Sequence, residues 1–274
     1  MNYLICPGDR DVLLFNFVSK EKENHATTGS HAHNSYELLY FNSIDATYIV
    51  EDKKYKLKKD DLIIVKPHDY HIIEFDSTGR YERYNVLFDP AALGIDISLL
   101  PPGLDVVNCR HMPIVTDLFR KVDYYYKHFS EQTLGQLLPL LLKELVFNLS
   151  ITAAPSEQSK MMHIHPLICH ALELINGNLF ECNGISQIAN WLYVSESYLH
   201  RLFKQEMKIT PGSYITQKRL LAARSMLLQG KSPSVVYSAC GFSDYSAFYR
   251  NYKKFFGYPP SLEGTKGSED QMEK

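Results

Sequence analysis

The chain has 274 residues, 45% of them hydrophobic and 22% charged, which suits one or two packed domains and excludes a wholly disordered protein. Its five cysteines include no CxxC pair, so we expect buried thiols in the cytoplasm, not a disulfide framework or a zinc site. The most apolar stretch, 137–151, contains Lys143 and Glu144, and the N-terminus lacks a signal-peptide pattern. We therefore expect neither a membrane span nor secretion.

The two halves of the chain differ in charge. Residues before Lys160 carry about −6 and those from Lys160 onward about +4, which together give the formal net charge of −2. An excess of positive charge in the second half favours a polyanionic partner there.

The first 90 residues alternate in short apolar runs, which predicts β-strands separated by polar turns. Several short strands of this kind indicate a sandwich or a small barrel. The predicted strands are 12–18, 37–41, 47–50, 61–65, 71–75 and 84–88.

From Pro113 to Ile151 the apolar spacing becomes helical and predicts two helices with wide apolar faces. The second helix carries an apolar stripe that a small barrel does not obviously need, so we expect it to join two subunits. The stripe consists of Leu134, Leu138, Leu141, Leu145 and Leu149. The small, polar segment that follows indicates a linker.

The region from His165 onward predicts a series of short helices. After a helix with Ile185, Ile188 and Leu192 on one face, Ser195 is placed to cap the next helix. That helix has an apolar inner face and an outer face with Ser197, His200, Arg201 and Lys204. A helix, a tight turn and a capped helix with a basic outer face make up a helix-turn-helix unit.

The same pattern recurs about 49 residues later, which indicates an internal duplication. Ser232 is placed to cap the first helix of the second unit, and Asp244 caps its second helix. The outer face of that second helix carries Tyr245, Ser246, Tyr249, Arg250 and Lys253. Between the units, a helix opened by Thr210 and Pro211 and closed by Gly230 predicts a rigid connector.

The segments SESYLHRLFK (195–204), GFSDYSAFYRNYKK (241–254) and GYPP (257–260), with Arg219 between them, resemble the DNA-binding domain of AraC/XylS-family transcription regulators. The resemblance covers about residues 166–261. It implies that the third helix of each unit, counting the helix that precedes the helix-turn-helix pair, enters the major groove of DNA. The base-reading positions are then Ser197, His200, Arg201, Tyr245, Ser246, Tyr249 and Arg250. Lys204 and Lys253 are better suited to phosphates.

The chain departs from the family pattern at three places. Lys208 stands where the family usually has glycine, and Tyr237 where it has a small residue. Glu263 and Gly264 replace the aromatic–arginine pair that often ends the domain. These departures bear on local geometry, most of all in the second unit.

The N-terminal motif HAHNSYE (31–37), with a later histidine at 71, resembles the cupin barrel, in which such side chains converge inside. As an effector pocket, His31, His33, Tyr36, Glu37 and His71 would bind a small polar molecule. As metal ligands, the histidines and Glu37 would suit a divalent transition metal. A third interpretation is that these are ordinary polar residues at a strand start. We favour the effector pocket and expect neither a metal nor a cofactor.

The sequence therefore predicts an α+β protein: a cupin-like β-barrel followed by a helix pair, then an all-α domain of two helix-turn-helix units joined by a connecting helix. The expected boundaries are 1–151 for effector binding and dimerisation, 152–164 for the linker, 165–262 for the DNA-binding domain and 263–274 for a flexible tail.

We expect a non-enzymatic, sequence-specific transcription regulator that acts as a homodimer through 113–151. Its partners would be promoter DNA, a small effector such as a sugar, and RNA polymerase. Two alternatives remain. One is a metal-dependent cupin enzyme fused to a DNA-binding domain, and the other is a constitutive DNA-binding dimer without an effector.

Overall fold

The computed structural model describes residues 3–6, 12–23, 25–28, 32–42, 45–152 and 161–263. It divides into two compact units. The barrel unit comprises residues 1–29 and 35–162, and the helical unit comprises residues 163–274 together with residues 30–34. Most of the predicted linker (153–160) and most of the predicted tail (264–274) lie outside the described residues.

The barrel unit is built from antiparallel strands in two sheets. The strands are β1 (Tyr3–Ile5), β2 (Leu13–Lys22), β3 (Tyr36–Phe41), β4 (Ala46–Val50), β5 (Lys53–Leu57), β6 (Asp61–Val65), β7 (His71–Phe75), β8 (Gly79–Phe88), β9 (Val106–Asn108) and β10 (Met161–His163). The larger sheet has the strand order β1-β2-β8-β3-β6-β9, and the smaller sheet β10-β5-β4-β7.

Both faces of the larger sheet are covered, and strand alternation decides which side chains go to which face. In β3, Leu38 and Tyr40 belong to a core on the outer face of the sheet, whereas Leu39 and Phe41 belong to a core between the two sheets. The six strands predicted from alternation are all present, and the sheet-rich fold that they indicated is confirmed.

The outer face of the larger sheet is covered by a helix pair, α2 (Pro113–His128) and α3 (Glu131–Thr152). They follow the short helix α1 (Pro90–Leu93). The predicted interface stripe on α3 is wrong as an interface, because four of its five leucines are buried in the core of their own unit and Leu141 packs against that core. Together with side chains of α2, these leucines cover the apolar outer face of the larger sheet.

Helix α3 is long and apolar enough, by length and composition, to cross a membrane over Glu131–Ile151, contrary to our expectation from the charges at Lys143 and Glu144. A core helix of a soluble protein passes the same test. One third of the apolar window is buried within the unit, which accounts for part of its hydrophobicity. Leu140, Phe147 and Ile151 are exposed.

The helical unit contains six α-helices within 161–263. They are α4 (Pro166–Gly177), α5 (Ile185–Trp191), α6 (Glu196–Met207), α7 (Pro211–Leu228), α8 (Pro233–Ala239) and α9 (Tyr245–Phe256). Side-chain oxygens of Ser195, Thr210 and Asp244 accept hydrogen bonds from backbone N–H groups in the first turns of α6, α7 and α9. The predicted cap at Ser232 makes no such bond, and its hydroxyl contacts Ser234 instead.

Candidate nucleic-acid interface and effector site

The helices α5 and α6 form the first head, which presents a polar outer face. Leu199, Phe203 and Met207 are buried on the inner side of α6. The outward residues Ser197, His200, Arg201 and Lys204 are all exposed. The guanidinium of Arg201 lies 5.9 Å from the ring centre of Tyr198 one turn earlier, so the two side chains share one face of the helix.

The helices α8 and α9 form the second head with the same arrangement. Phe248 and Tyr252 are buried, whereas Tyr245, Ser246, Arg250 and Lys253 are exposed and Tyr249 is half-buried. The second helices of the two heads, α6 and α9, which we call the reading helices, begin 49 residues apart. The first helices, α5 and α8, begin 48 residues apart. The second head therefore has one more residue in its turn than the first.

The turns of the two heads meet the same backbone requirement with different residues. Tyr193 in the first head and Gly241 in the second both have positive φ, +55° and +76°. Tyr193 is 96% exposed, so its strained backbone is tolerated because the side chain meets only solvent. Trp191, two residues earlier, is partly exposed at the end of α5.

Of the three departures from the family pattern, two are compensated locally. Lys208 takes the left-handed conformation that glycine usually supplies, with φ +58°. Glu263 forms a buried ion pair with Arg224 of α7 at 3.0 Å and accepts hydrogen bonds from the hydroxyls of Tyr252 and Tyr258. Tyr237 packs edge-on against Tyr245 of α9, with ring centres 5.7 Å apart.

Sequence reasoning missed the part that Arg219 plays in the helical unit. Its guanidinium donates hydrogen bonds to four backbone carbonyl oxygens, three before α5 and one in the turn of the second head. The sequence signals were its place in the middle of the connecting helix and its presence in the family pattern, and neither indicates its backbone partners.

Inside the barrel unit, Glu37 and His71 form a buried pair. Oε2 of Glu37 lies 3.1 Å from Nε2 of His71, and both side chains are at least 94% buried. The other ring nitrogen, Nδ1, lies 3.0 Å from the carbonyl oxygen of Asp69, which can only accept a hydrogen bond. Burial by itself lowers the pKa of His71, but the hydrogen bond and charge of Glu37 outweigh it, and the pKa is raised above its usual value.

His33 completes a group of donors with this pair. One donor atom each from His33, Glu37 and His71 lies within 4.8 Å of the others. Two imidazoles and a carboxylate are ligands suited to zinc, iron or manganese, so these residues fit a metal ion by chemistry as well as by distance. The fourth predicted residue of this set, His31, lies outside the described residues.

Tyr36 does not join this site. It packs against Phe88, with ring centres 6.0 Å apart, on the outer face of the larger sheet. Neighbouring residues in a strand point to opposite faces, so the strand that directs Glu37 inward must direct Tyr36 outward.

The interior contains further polar groups that the sequence did not single out. The hydroxyl of Tyr48 is fully buried and has no hydrogen-bond partner among the described residues. Tyr55, beside it on β5, donates to Oδ2 of Asp105 at 2.8 Å, and Lys53 forms an ion pair with the same oxygen. Only the packing tells which of the buried tyrosine hydroxyls are left without a partner.

Comparisons with known proteins agree with this architecture. The AraC-like ligand binding domain matches residues 16–122, and a helix-turn-helix domain matches residues 188–262. An uncharacterized HTH-type transcriptional regulator of Bacillus subtilis, YbfI, is 26% identical over 79% of this chain and 80% of its own length. The HTH-type transcriptional activator RhaS of Yersinia pestis is 24% identical over 84% of this chain and 86% of its own length.

Other matches are shorter or more distant. The HTH-type transcriptional regulator ArgR of Pseudomonas aeruginosa is 37% identical over 35% of this chain. The chain spans 27–32% of the length of the first curated relatives that it matches. The crystal structure of ToxT from Vibrio cholerae aligns with 90% of this chain and 95% of its own, with 14% identity and a TM-score of 0.39.

The two matched domains define a class of protein, a DNA-binding regulator with a ligand-binding domain. The chain belongs to the AraC/XylS family of transcription regulators.

The Glu37–His71 pair predicts how the stability of the barrel unit depends on pH. A raised histidine pKa contributes stability that is fully present below the unfolded value of about 6.5 and is lost as pH rises through the folded value. In Glu37→Gln the hydrogen bond and charge of Glu37 are lost, and burial is opposed only by Asp69, so the pKa of His71 falls relative to the unaltered protein and this contribution shrinks. Urea unfolding of both proteins at pH about 6 and about 8 gives the change in the free energy of unfolding with pH, which should differ between them. Equal slopes would contradict the buried pair.

Proposed function

We propose that this protein binds promoter DNA with both heads and that a small polar effector bound inside the barrel controls this binding. The observation that carries the proposal is the matched pair of exposed faces on α6 and α9, with arginine and lysine at equivalent positions 49 residues apart. We also propose that the protein acts in the cytoplasm, with RNA polymerase as a further partner at the promoter. Relatives named HTH-type transcriptional regulators support this proposal.

The two kinds of basic residue on each reading helix suit different parts of DNA. Arg201 and Arg250 can donate two hydrogen bonds to guanine in the major groove, worth about 1–3 kcal/mol of discrimination. Lys204 and Lys253, about one turn further along, end in flexible ammonium groups suited to phosphate. The polar residues beside them, Ser197, His200, Tyr245, Ser246 and Tyr249, would complete the reading faces.

A test of this division uses a randomised duplex library at two salt concentrations. We expect Arg201→Ala to relax sequence preference in one half of the selected site and Arg250→Ala in the other. Lys204→Ala and Lys253→Ala should weaken binding to all sequences alike and lower the salt slope by about one. If Arg201→Ala and Lys204→Ala cause the same uniform loss, the assignment of the reading face is wrong.

The barrel interior supports a neutral effector rich in hydroxyl groups, such as a sugar. The buried pair of Glu37 and His71 balances its own charge, and Asp105 is neutralised by Lys53. Tyr48 offers a hydroxyl without a partner, and Oδ1 of Asn85 is buried in the same condition. A ligand that supplies the missing hydrogen bonds gains from groups that otherwise cost about 1–3 kcal/mol each when buried. To act as a switch, it must bind the DNA-competent state more tightly than the other state.

Tyr48→Phe tests the effector site, with Tyr55→Phe as its matched control. Without ligand, Tyr48→Phe should be as stable as the unaltered protein or more so, because it removes an unpaired buried hydroxyl. Tyr55→Phe should be less stable, because its hydroxyl bonds Asp105. In thermal-shift assays with a panel of sugars and polyols, only Tyr48→Phe should lose stabilisation. Full stabilisation of Tyr48→Phe by every ligand that stabilises the unaltered protein would reject this site.

The metal-dependent alternative is favoured by one observation, the convergence of His33, Glu37 and His71. The metal content of the purified protein decides between the two. Zinc, iron or manganese in stoichiometric amount, with function lost on chelation, would replace the effector pocket by a metal centre. In either case His71→Ala should leave DNA binding intact, because the heads belong to the other unit.

We also propose that the protein forms a homodimer through the outward face of α3. Leu140, Phe147 and Ile151 are 57–67% exposed and lie along one stripe, at spacings of seven and four residues. Large apolar side chains in a row on a surface mark an interaction site, and a second copy offers the same stripe.

Phe147→Glu tests the dimer, and Leu145→Ala serves as its control. Phe147→Glu should yield monomers of nearly unchanged stability, because it alters only the exposed stripe. Leu145→Ala should lower stability by about 2–5 kcal/mol, because it leaves a cavity in the core of the unit, and should keep the dimer. Light scattering gives the mass and urea unfolding the stability. A monomeric unaltered protein would refute the proposal.

A further inference from the structure

Arg219, in the connecting helix α7, donates hydrogen bonds to the loop that leads into the first head and to the turn of the second head. The acceptors before α5 are the carbonyl oxygens of Leu179, Phe180 and Cys182, and the acceptor in the second head is that of Gly241. The distances are 2.9 Å from Nε to Leu179, 3.4 and 2.7 Å from one terminal nitrogen to Phe180 and Cys182, and 2.6 Å from the other to Gly241.

All four acceptors are backbone atoms, so these hydrogen bonds fix the position of main chain rather than of side chains. The rigid, planar guanidinium holds its donors at fixed angles, and it is placed between the loop that leads into α5 and the turn that leads into α9. Burial lowers the pKa of Arg219. The guanidinium charge is partly removed from water here, and this desolvation costs free energy that an exposed arginine would not lose.

The turn of the second head approaches the same loop without space for a side chain. A Cβ at Gly241 would lie 2.3 Å from the carbonyl oxygen of Phe180 and 2.9 Å from Cζ of Arg219. Together with its φ of +76°, this contact admits only glycine. In the first head Tyr193 has the corresponding backbone conformation, exposed to solvent.

We propose that Arg219 and Gly241 form a junction that sets the distance and rotation between the two heads and thereby selects the spacing of the two half-sites. The inference rests on the proposed function, since it requires both heads to bind DNA. Residues of this junction are positioning residues and touch no base.

The apolar contacts along α7 are not sufficient for this role. Tyr214 packs edge-on against Phe203 of the first head, with ring centres 5.8 Å apart, and Leu220 and Leu227 belong to the core of the second. Burial of apolar surface is non-directional, so packed helices can slide over each other by small amounts. Hydrogen bonds are directional, and those of Arg219 oppose such sliding.

The experiment measures spacing rather than affinity alone. A site is first selected from a randomised library with the unaltered full-length protein, and duplexes are then made with base pairs inserted or removed between its halves. One base pair moves a half-site by about 3.4 Å and by about a tenth of a helical turn. We expect the unaltered protein to have one sharp optimum, with binding at least about tenfold weaker one or two base pairs away.

Two variants disrupt the junction, one at Arg219 and the other at Gly241. Arg219→Lys keeps a positive charge but loses the fork, and Gly241→Ala introduces the clash. Both should bind neighbouring spacings within about threefold of the optimum, while the preferred bases within each half-site stay the same. Leu172→Ala, in the buried face of α4, is the control: it should lower thermal stability without broadening the spacing.

The outcomes separate the inference from the function on which it rests. If the unaltered protein selects no sequence, the proposed function is wrong. If it selects a site but both variants keep the sharp optimum, or if Leu172→Ala broadens the optimum equally, the junction does not set the spacing. Loss of folding in both variants, seen by circular dichroism, would likewise overturn the inference, because the heads would then need the junction for stability.

Discussion

The larger sheet of the barrel unit is covered on both faces, and most of the unit's chemistry follows from this constraint. Its outer face can be apolar throughout, because α2 and α3 supply a matching surface of leucine and valine side chains. The side chains on its inner face are buried between the two sheets, so polar groups there need hydrogen-bond partners. Glu37 finds His71, and Tyr55 finds Asp105. The hydroxyl of Tyr48 and Oδ1 of Asn85 are buried without a hydrogen-bond partner among the described residues, and such groups in a core mark a place where a ligand could bind.

The duplicated heads show how one backbone plan tolerates different sequences. Both turns require a left-handed residue, and in the first head even a tyrosine serves, because nothing lies next to it. In the second head the same position faces Phe180 and Arg219 at contact distance, so only glycine fits. The extra residue in the second turn and the buried ion pair of Arg224 with Glu263 are further differences. Both heads keep a buried core and a side-chain cap on the reading helix, whereas the neighbours of each turn determine which residue can occupy it.

The sequence predicted the parts of the fold that depend on local periodicity. Alternation located six strands, and caps such as Ser195 and Asp244 marked where reading helices begin. Sequence-based prediction was less reliable where an apolar helix face could be buried either within its own unit or between two subunits. The leucine stripe of α3 looked like a subunit interface because nothing local says that a sheet lies against it. Tyr36 was placed in the pocket by proximity to Glu37, although strand alternation alone would have separated them.

Other features were beyond sequence reasoning altogether. The partners of Arg219 are backbone carbonyls, which leave no trace in residue identity, and they lie 22 to 40 residues away along the chain. Whether a buried tyrosine has a hydrogen-bond partner depends on packing across two sheets, as the contrast between Tyr48 and Tyr55 illustrates. The exposed faces of α6 and α9 were predictable, because a helix with a well-defined apolar side leaves its other side determined.

Trp191, the chain's only tryptophan, ends α5 and stands two residues before the strained turn of the first head. It is partly exposed, so its indole senses both the packing of that head and whatever approaches the turn. The barrel unit and the second head contain tyrosines but no second indole. Emission excited at the red edge of the spectrum therefore comes from the first head alone, and the protein has an intrinsic optical label that reports on one of two nearly equivalent modules.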